Sequence, residues 1–285
     1  MTAPALTTSA RTSLAFVWLW IGLVLLLPFA VVLKISFATA QLGVPPYGPP
    51  NTLENYLALV QDSLYLKAYL SSLRIAFIST VIALVLGYPM SYAIARAPQR
   101  WRMILLLLVV LPFWTSFLIR IYAWIGLLRP TGLINLVLES LGLVAAPLRL
   151  LNTDFAVYLG IVYAYLPFMV LPLYARLEKL DPALLEAAAD LGAKPWNAFL
   201  KVTLPLSLPG VVAGCLLVFI PAVGEFVIPE LLGGPDTLMI GKVLWTEFFT
   251  NRDWPMSAAV AVILLTVLVL PIMWFQRVEG REVRT

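Results

Sequence analysis

Residues 186–205 read E-A-A-A-D-L-G-A-K-P-W-N-A-F-L-K-V-T-L-P, a polar, charged island in a chain that is otherwise largely hydrocarbon-seeking. Just before it, Asp181-Pro182 makes a good helix start, with Asp as N-cap and Pro in the first turn. From there Leu184, Ala188 and Leu191 fall on one helical face, and Glu186 and Asp190 on another. Gly192 suits a left-handed helix stop. Lys194-Pro195 begins a second short helix, which is expected to end before Pro205. The stretch therefore predicts a compact helix–turn–helix whose small exposed residues let another protein approach closely.

The flanking sequence sets the fold class. Of 285 residues 61% are hydrophobic and only 12% charged, and the mean hydropathy is +0.94. Soluble domains carry roughly a quarter charged residues, so the chain reads as an all-α polytopic membrane protein. The formal charge of +4 fits a bias of basic residues toward one side of a membrane better than nucleic-acid binding. The single cysteine, Cys215, excludes an intrachain disulfide, and the lack of histidine removes the commonest general base and metal ligand. The apolar run 14–33 is longer than a signal-peptide core and no clean small-residue cleavage site follows. It is read as a retained span.

A membrane span needs about 20 largely apolar residues. Six segments qualify: 14–33, 71–95, 103–127, 155–175, 210–232 and 257–276. With the N-terminus inside, eleven of the 19 basic residues fall on inner segments, five on outer loops and three at outer span ends. That distribution places both termini, and the loop holding Glu186–Pro205, in the cytoplasm. The expected organisation is an N-terminal span and outer loop over 1–70, a core over 71–277 with an inner loop at 178–209, and a tail over 278–285. The outer loop is turn-rich from Pro45 to Asn51, with a short helix expected over 52–60. Seven prolines fall within spans: Pro28, Pro89, Pro112, Pro167, Pro172, Pro221 and Pro271. Each removes a backbone hydrogen bond, either to shape the packing or to make a moving joint.

The inner loop carries a resemblance. Glu186-Ala187-Ala188, then Gly192, then Val202-x-Leu204-Pro205 is similar to the EAA loop of binding-protein-dependent ABC importer permeases, with Val202 where that family prefers isoleucine. The resemblance extends over about residues 71–276. It implies a type I permease fold of six transmembrane helices. It also implies that Glu186, Ala187, Ala188, Asp190, Gly192, Leu204 and Pro205 belong to a coupling loop that docks on an ATPase subunit. The implied partners are a homologous second permease, two ATP-binding subunits, a periplasmic substrate-binding protein and the lipid membrane. ATP binding would draw the coupling loops together and rock the spans between inward- and outward-facing states.

Three further strings resemble bacterial polyamine importer permeases, closest to the putrescine type: Phe113–Arg120, Pro221–Gly234, and Met239–Trp245 with Asn251–Pro255. Spermidine or another small organic cation stays open as the substrate. Glu225 lies about 22 Å along the fifth span from Gly210, at 1.5 Å per residue. A bare carboxylate at that depth costs on the order of 3 kcal/mol, so it should face the bundle interior or water. Two readings stand side by side. In one, Glu225 forms a cation path with aromatic faces of Trp114, Tyr122, Trp124 or Phe226. In the other, Glu225 forms a structural ion pair with Arg120, and the aromatics form an interfacial belt.

Other chemistries find no constellation. Gly241-Lys242 lacks the earlier glycine and the following Ser or Thr of a phosphate loop. No nucleophile, metal site or cofactor site assembles from the remaining polar residues. An intramembrane enzyme is therefore disfavoured, and a passive channel or scaffold would have no use for an ATPase-docking loop.

Overall fold

Long apolar runs set the helices of this chain, and caps and prolines set where they stop. The computed structural model describes residues 8–282, so the last three residues of the expected tail, Arg284 among them, lie outside it. Helix α1 (Thr8–Ser36) is followed by a small antiparallel ladder, β1 (Thr39–Ala40) on β2 (Tyr47–Gly48). Next come α2 (Glu54–Gln61), close to the short helix expected over 52–60, then α3 (Ser63–Arg96) and α4 (Gln99–Val110). They are followed by α5 (Phe117–Leu128), α6 (Leu133–Ser140) and α7 (Asp154–Leu177). The chain continues through α8 (Ala183–Asp190), α9 (Pro195–Ala198), α10 (Leu204–Val223) and α11 (Val227–Leu232). It ends with α12 (Ile240–Trp245) and α13 (Trp254–Glu282).

Among the described residues, five helical stretches are long and apolar enough to cross a membrane: Leu14–Ser36, Ser63–Arg96, Phe117–Ser140, Asp154–Leu177 and Pro195–Val223. A shorter apolar stretch, Trp254–Val269, is the sixth. The architecture is thus the expected all-α, six-pass membrane fold, with two corrections. The third apolar segment, expected as one helix over 103–127, is interrupted. Residues Leu111–Trp114 form a 3-10 turn and Thr115 is extended. Pro112 has no N–H for the helical ladder, and its carbonyl is taken by the Thr115 N–H at 3.2 Å and hydroxyl at 2.8 Å. The fifth, expected over 210–232, begins earlier and stops at Val223, with a break at Gly224–Phe226 before α11.

The chain forms two compact units. One takes the residues up to Leu66 together with those from Leu244; the other is Lys67–Val243. In the first, α1 packs on α13 and leaves large apolar side chains such as Trp18 and Leu19 exposed, as a lipid-facing helix does. Past its end, Ser36 Oγ lies 2.6 Å from the Tyr56 hydroxyl, and the Asn55 amide donates to Ser36 O and Ala38 O, both at 2.9 Å. Trp254 stacks on Phe248 with ring centres 5.0 Å apart.

The core of the second unit joins α3, α7 and α10 around Ala83, Tyr88, Met169, Leu173 and Val218. Two glycines let α10 lie directly on α7. A Cβ on Gly210 would sit 3.0 Å from Pro172 O, and one on Gly214 would sit 3.1 Å from Met169 O and 2.7 Å from its sulfur. The spacing fits the Gly-x-x-x-Gly pattern of close helix contacts in membranes. Two buried hydroxyl pairings cross this core: Tyr88 with Ser207 at 2.8 Å, and Ser91 onto Gly87 O at 2.7 Å and Val170 O at 3.1 Å.

Candidate functional site

The loop between α7 and α10 folds largely as its residues dictate. Asp181 Oδ1 accepts the Ala183 N–H at 3.0 Å, so the aspartate caps α8. At the other end Gly192 has φ +79°. The Gly192 N–H donates to Ala189 O at 2.8 Å and the Ala193 N–H to Ala188 O at 3.0 Å. This pair of bonds defines the Schellman ending, and the left-handed residue within it is the one glycine tolerates best. Pro195 then begins α9.

Two expectations about this loop need correcting. The second helix does not end before Pro205. A π-helical turn at Phe199–Thr203 carries it into α10, and the Leu204 N–H reaches back to Phe199 O. The wider turn accommodates the residue that cannot donate, Pro205, in the first turn of α10. Leu204 and Pro205 accordingly lie in a helical stretch that runs without a break from Pro195 into the fifth span.

The apolar face is also different. Leu191 is 89% and Leu184 45% exposed, whereas Leu185 and Ala188 are half-buried. Leu185, Ala189, Ala193 and Phe199 line a pocket of about 240 Å³ with Tyr92 of α3. The face turned toward the protein thus runs through Leu185 and Ala188, with the exposed Ala189 at the rim of the pocket. Phe199 anchors the arrangement by packing edge-on against Tyr88 at 5.5 Å and Tyr92 at 6.4 Å. Glu186, Ala187, Asp190 and Gly192 all remain exposed, with Trp196 beside them at 67%. The outward surface is therefore mixed: small residues and two carboxylates bordered by Leu184, Leu191 and Trp196.

Below this loop, the end of α7 is tied to its neighbours by Arg102. Its guanidinium contacts Glu178 Oε1 at 2.8 Å and donates to Ala95 O at 3.0 Å and Ala97 O at 3.3 Å. The Tyr174 hydroxyl, and after it the Arg102 guanidinium, hold the Glu178 carboxyl below its ordinary range.

The second candidate is Glu225, which is 7% exposed and sits in the fifth-span break. Its Oε1 accepts the N–H groups of Phe226 at 3.1 Å, Val227 at 3.0 Å and Ile228 at 3.4 Å. Its Oε2 accepts the hydroxyl of Tyr165 from α7. The carboxylate therefore satisfies donors freed where α10 stops and α11 starts.

The expected ion pair with Arg120 is not made. The guanidinium of Arg120 lies over the rings of Phe113 at 5.1 Å and Phe117 at 5.8 Å, and its Nε and Nη1 are buried without an acceptor. Cation–π attraction to two rings replaces a carboxylate partner. The expected aromatic group does not assemble around Glu225 either. Trp114 and Tyr122 are 76% and 58% exposed, and Trp124 packs edge-on against Tyr163 at 5.4 Å. Phe226 meets the carboxylate through its backbone N–H. The aromatic side chain on Glu225 is instead Tyr165, which spacing arguments passed over. Its signal was a hydroxyl in the charge-free fourth span, where a buried donor needs an acceptor. Among the described residues no group of three His, Cys, Asp or Glu is placed to hold a metal ion.

Residues 80–285 match the family model described as binding-protein-dependent transport system inner membrane component. The spermidine/putrescine transport system permease protein PotB of Haemophilus influenzae is 43% identical over 267 residues, which cover 94% of this chain and 93% of that protein. PotB of Escherichia coli is 43% identical over 258 residues, 90% of this chain and 93% of its own. The crystal structure of a bacterial ABC transporter involved in the import of the acidic polysaccharide alginate has a chain that superposes with a TM-score of 0.75 at 17% identity. That superposition covers 95% of this chain and 94% of the other, and it shows the shared fold. The chain thus belongs to the binding-protein-dependent transport inner-membrane component family and is a permease subunit of an ABC importer.

Proposed function

We propose that this chain is the translocation subunit of an ATP-driven polyamine importer in a bacterial inner membrane, with putrescine as its first substrate to test and spermidine as the alternative. The observation that carries the reading is the 43% identity, over more than nine-tenths of both chains, to a permease named for spermidine and putrescine. The Phe113–Arg120 and Pro221–Gly234 strings support it. A second homologous permease, two ATP-binding subunits and a periplasmic substrate-binding protein complete the proposed machine. A fold neighbour is known in complex with a periplasmic protein bound to alginate pentasaccharide. Both termini and the loop at α8 are assigned to the cytoplasm.

In this reading the exposed side of α8, with Glu186, Ala187, Asp190 and Gly192, docks on the ATPase subunit. ATP binding draws the docked loops together, and hydrolysis resets the spans. Glu225 takes a structural role other than the Arg120 pair, because both of its oxygens already accept hydrogen bonds. The exposed faces of Trp114 and Tyr122 offer the aromatic surface for passing ammonium groups, at about 0.5–2 kcal/mol per contact.

The test is uptake of labelled putrescine and spermidine by the complete complex in proteoliposomes. Uptake is expected only with internal ATP, ATPase subunits and binding protein all present. Uptake without the ATPase subunits refutes the mechanism, and failure of both polyamines refutes the substrate class.

A further inference from the structure

The break in the fifth span raises a physical problem that one side chain of the fourth span solves. A helix interruption at membrane depth frees backbone N–H groups, and a buried carboxylate there needs donors of its own. Glu225 answers the first need by capping Phe226, Val227 and Ile228 with Oε1. Tyr165 answers the second, and it is the only side-chain donor to that carboxylate among the described residues.

The surroundings show what the bond holds in place. α11 closes on α7 at Gly160, where a Cβ would sit 2.8 Å from both Ile228 Cγ2 and Leu232 Cδ1. That contact is apolar and holds no hydrogen bond, so by itself it supplies no directional polar link between α11 and α7. The Tyr165–Glu225 bond is directional and fixes the height and rotation of α11 on α7. A third link lies farther along, where the Asn152 N–H donates to Leu232 O at 3.0 Å. The Tyr165 ring also lies 6.1 Å from Phe168, which packs edge-on at 5.2 Å against Phe113 in the interruption of the third segment. Tyr165 therefore meets the fifth-span break directly and the third-segment interruption through Phe168.

We infer that Tyr165 is a positioning residue for transport, whose hydroxyl, held on Glu225, makes α11 move with α7 as one body. The inference rests on the importer reading. It assigns Tyr165 no contact with substrate. Without the hydroxyl, Glu225 loses its one donor from α7 and the caps on α11 loosen. Movement starting at the α8 loop then fails to reach α11. ATP continues to be hydrolysed, and less substrate crosses per ATP.

The experiment uses the complete complex carrying Tyr165→Phe, which keeps the ring and its packing, with Glu225→Gln and the double variant alongside. Hydrogen bonds to charged acceptors are worth about tenfold or more in an equilibrium. Amide exchange across residues 226–232 should accordingly accelerate by about tenfold in Tyr165→Phe. Polyamine transported per ATP should fall by a comparable factor while the KM for the polyamine stays unchanged. Because the two residues act as one unit, the double variant should be no worse than the more affected single variant. Unchanged exchange, additive losses or an intact transport-to-ATP ratio each overturn the inference. A raised KM with the ratio intact makes Tyr165 a substrate contact, and failure to assemble makes it a packing residue; both outcomes also overturn it. If the unaltered complex imports no polyamine, the substrate reading fails by itself, and the exchange measurement still decides whether Tyr165 holds α11.

Discussion

Replacing Gly192 tests the α8 loop with little interference from packing. Its φ of +79° is a conformation that L side chains adopt at a cost of about 1–2 kcal/mol. A Cβ added there meets nothing within 4 Å, so no steric clash inside this chain adds to that cost. The penalty falls on the two bonds that close α8, from Gly192 N–H to Ala189 O and from Ala193 N–H to Ala188 O. A loss of 1–2 kcal/mol corresponds to about a 5–30-fold fall in the population of correctly closed loops. Valine, β-branched and poorly suited to positive φ, should suffer most, alanine less, and asparagine least because it visits this region readily. The assay is ATP-dependent uptake per ATP hydrolysed by the reconstituted complex, with membrane insertion and assembly checked by co-purification. The expected order is Gly192 ≈ Gly192→Asn > Gly192→Ala > Gly192→Val, with assembly intact throughout. Wild-type coupling in Gly192→Val, or equal losses in the asparagine and valine variants, would refute the link between backbone conformation and coupling.

Two further outcomes concern stability. Gly214→Ala places a methyl 3.1 Å from Met169 O and 2.7 Å from its sulfur. The overpacked α7–α10 contact should lose about 1–3 kcal/mol, seen as a lower thermal midpoint of the purified complex, and Met169→Ala should restore part of it. An unchanged midpoint would mean that the two helices separate without cost. Glu178 makes a pH prediction. Its carboxyl titrates below its unfolded value because of Tyr174 and then Arg102. Its stabilising contribution is therefore full above the ordinary glutamate range and is lost as pH falls through the lowered folded value. Glu178→Gln should flatten the acid limb of stability against pH, and 1 M salt should shrink the difference between the two proteins. Identical acid limbs would remove Glu178 from the account.

Features governed by a few neighbouring residues were readable before any coordinates. Asp181-Pro182 began a helix, Gly192 ended it in the left-handed region and Pro195 restarted the chain, because caps and turns depend on local backbone geometry. The count of apolar passages was readable for the same reason. Continuity was not. Pro205 reads as a helix stop by local rules, yet a π-helical turn absorbs it, and tertiary packing through Phe199 onto Tyr88 and Tyr92 favours continuation. Arg120 and Glu225 are opposite charges in the third and fifth apolar segments, so an ion pair stood as one of two readings beside a cation path. Their partners turned out to be rings for the arginine, and backbone N–H groups and a tyrosine for the glutamate. Linear spacing does not rank the nearby rings and backbone N–H groups that these charges meet above a distant opposite charge, and it says nothing of a partner that only folding brings near. The Tyr165–Glu225 pair, separated by 60 residues, belongs to that class.

The same continuity gives the α8 loop a mechanical path. Both of its ends enter spans: α7 ends at Leu177 just before it, and an unbroken helical stretch runs from Pro195 to Val223 after it. Those two spans approach closely at Gly210 and Gly214, where α10 contributes no side chain, and Arg176 Nε donates to Leu206 O at 3.0 Å. Close packing resists deformation, so the pair transmits displacement better than two helices separated by long side chains. A movement that begins at α8 passes the short turn at Gly192 and then a helix that stays continuous to Val223. That helix stops at Gly224, and the carboxylate and tyrosine beside the break determine whether α11 follows.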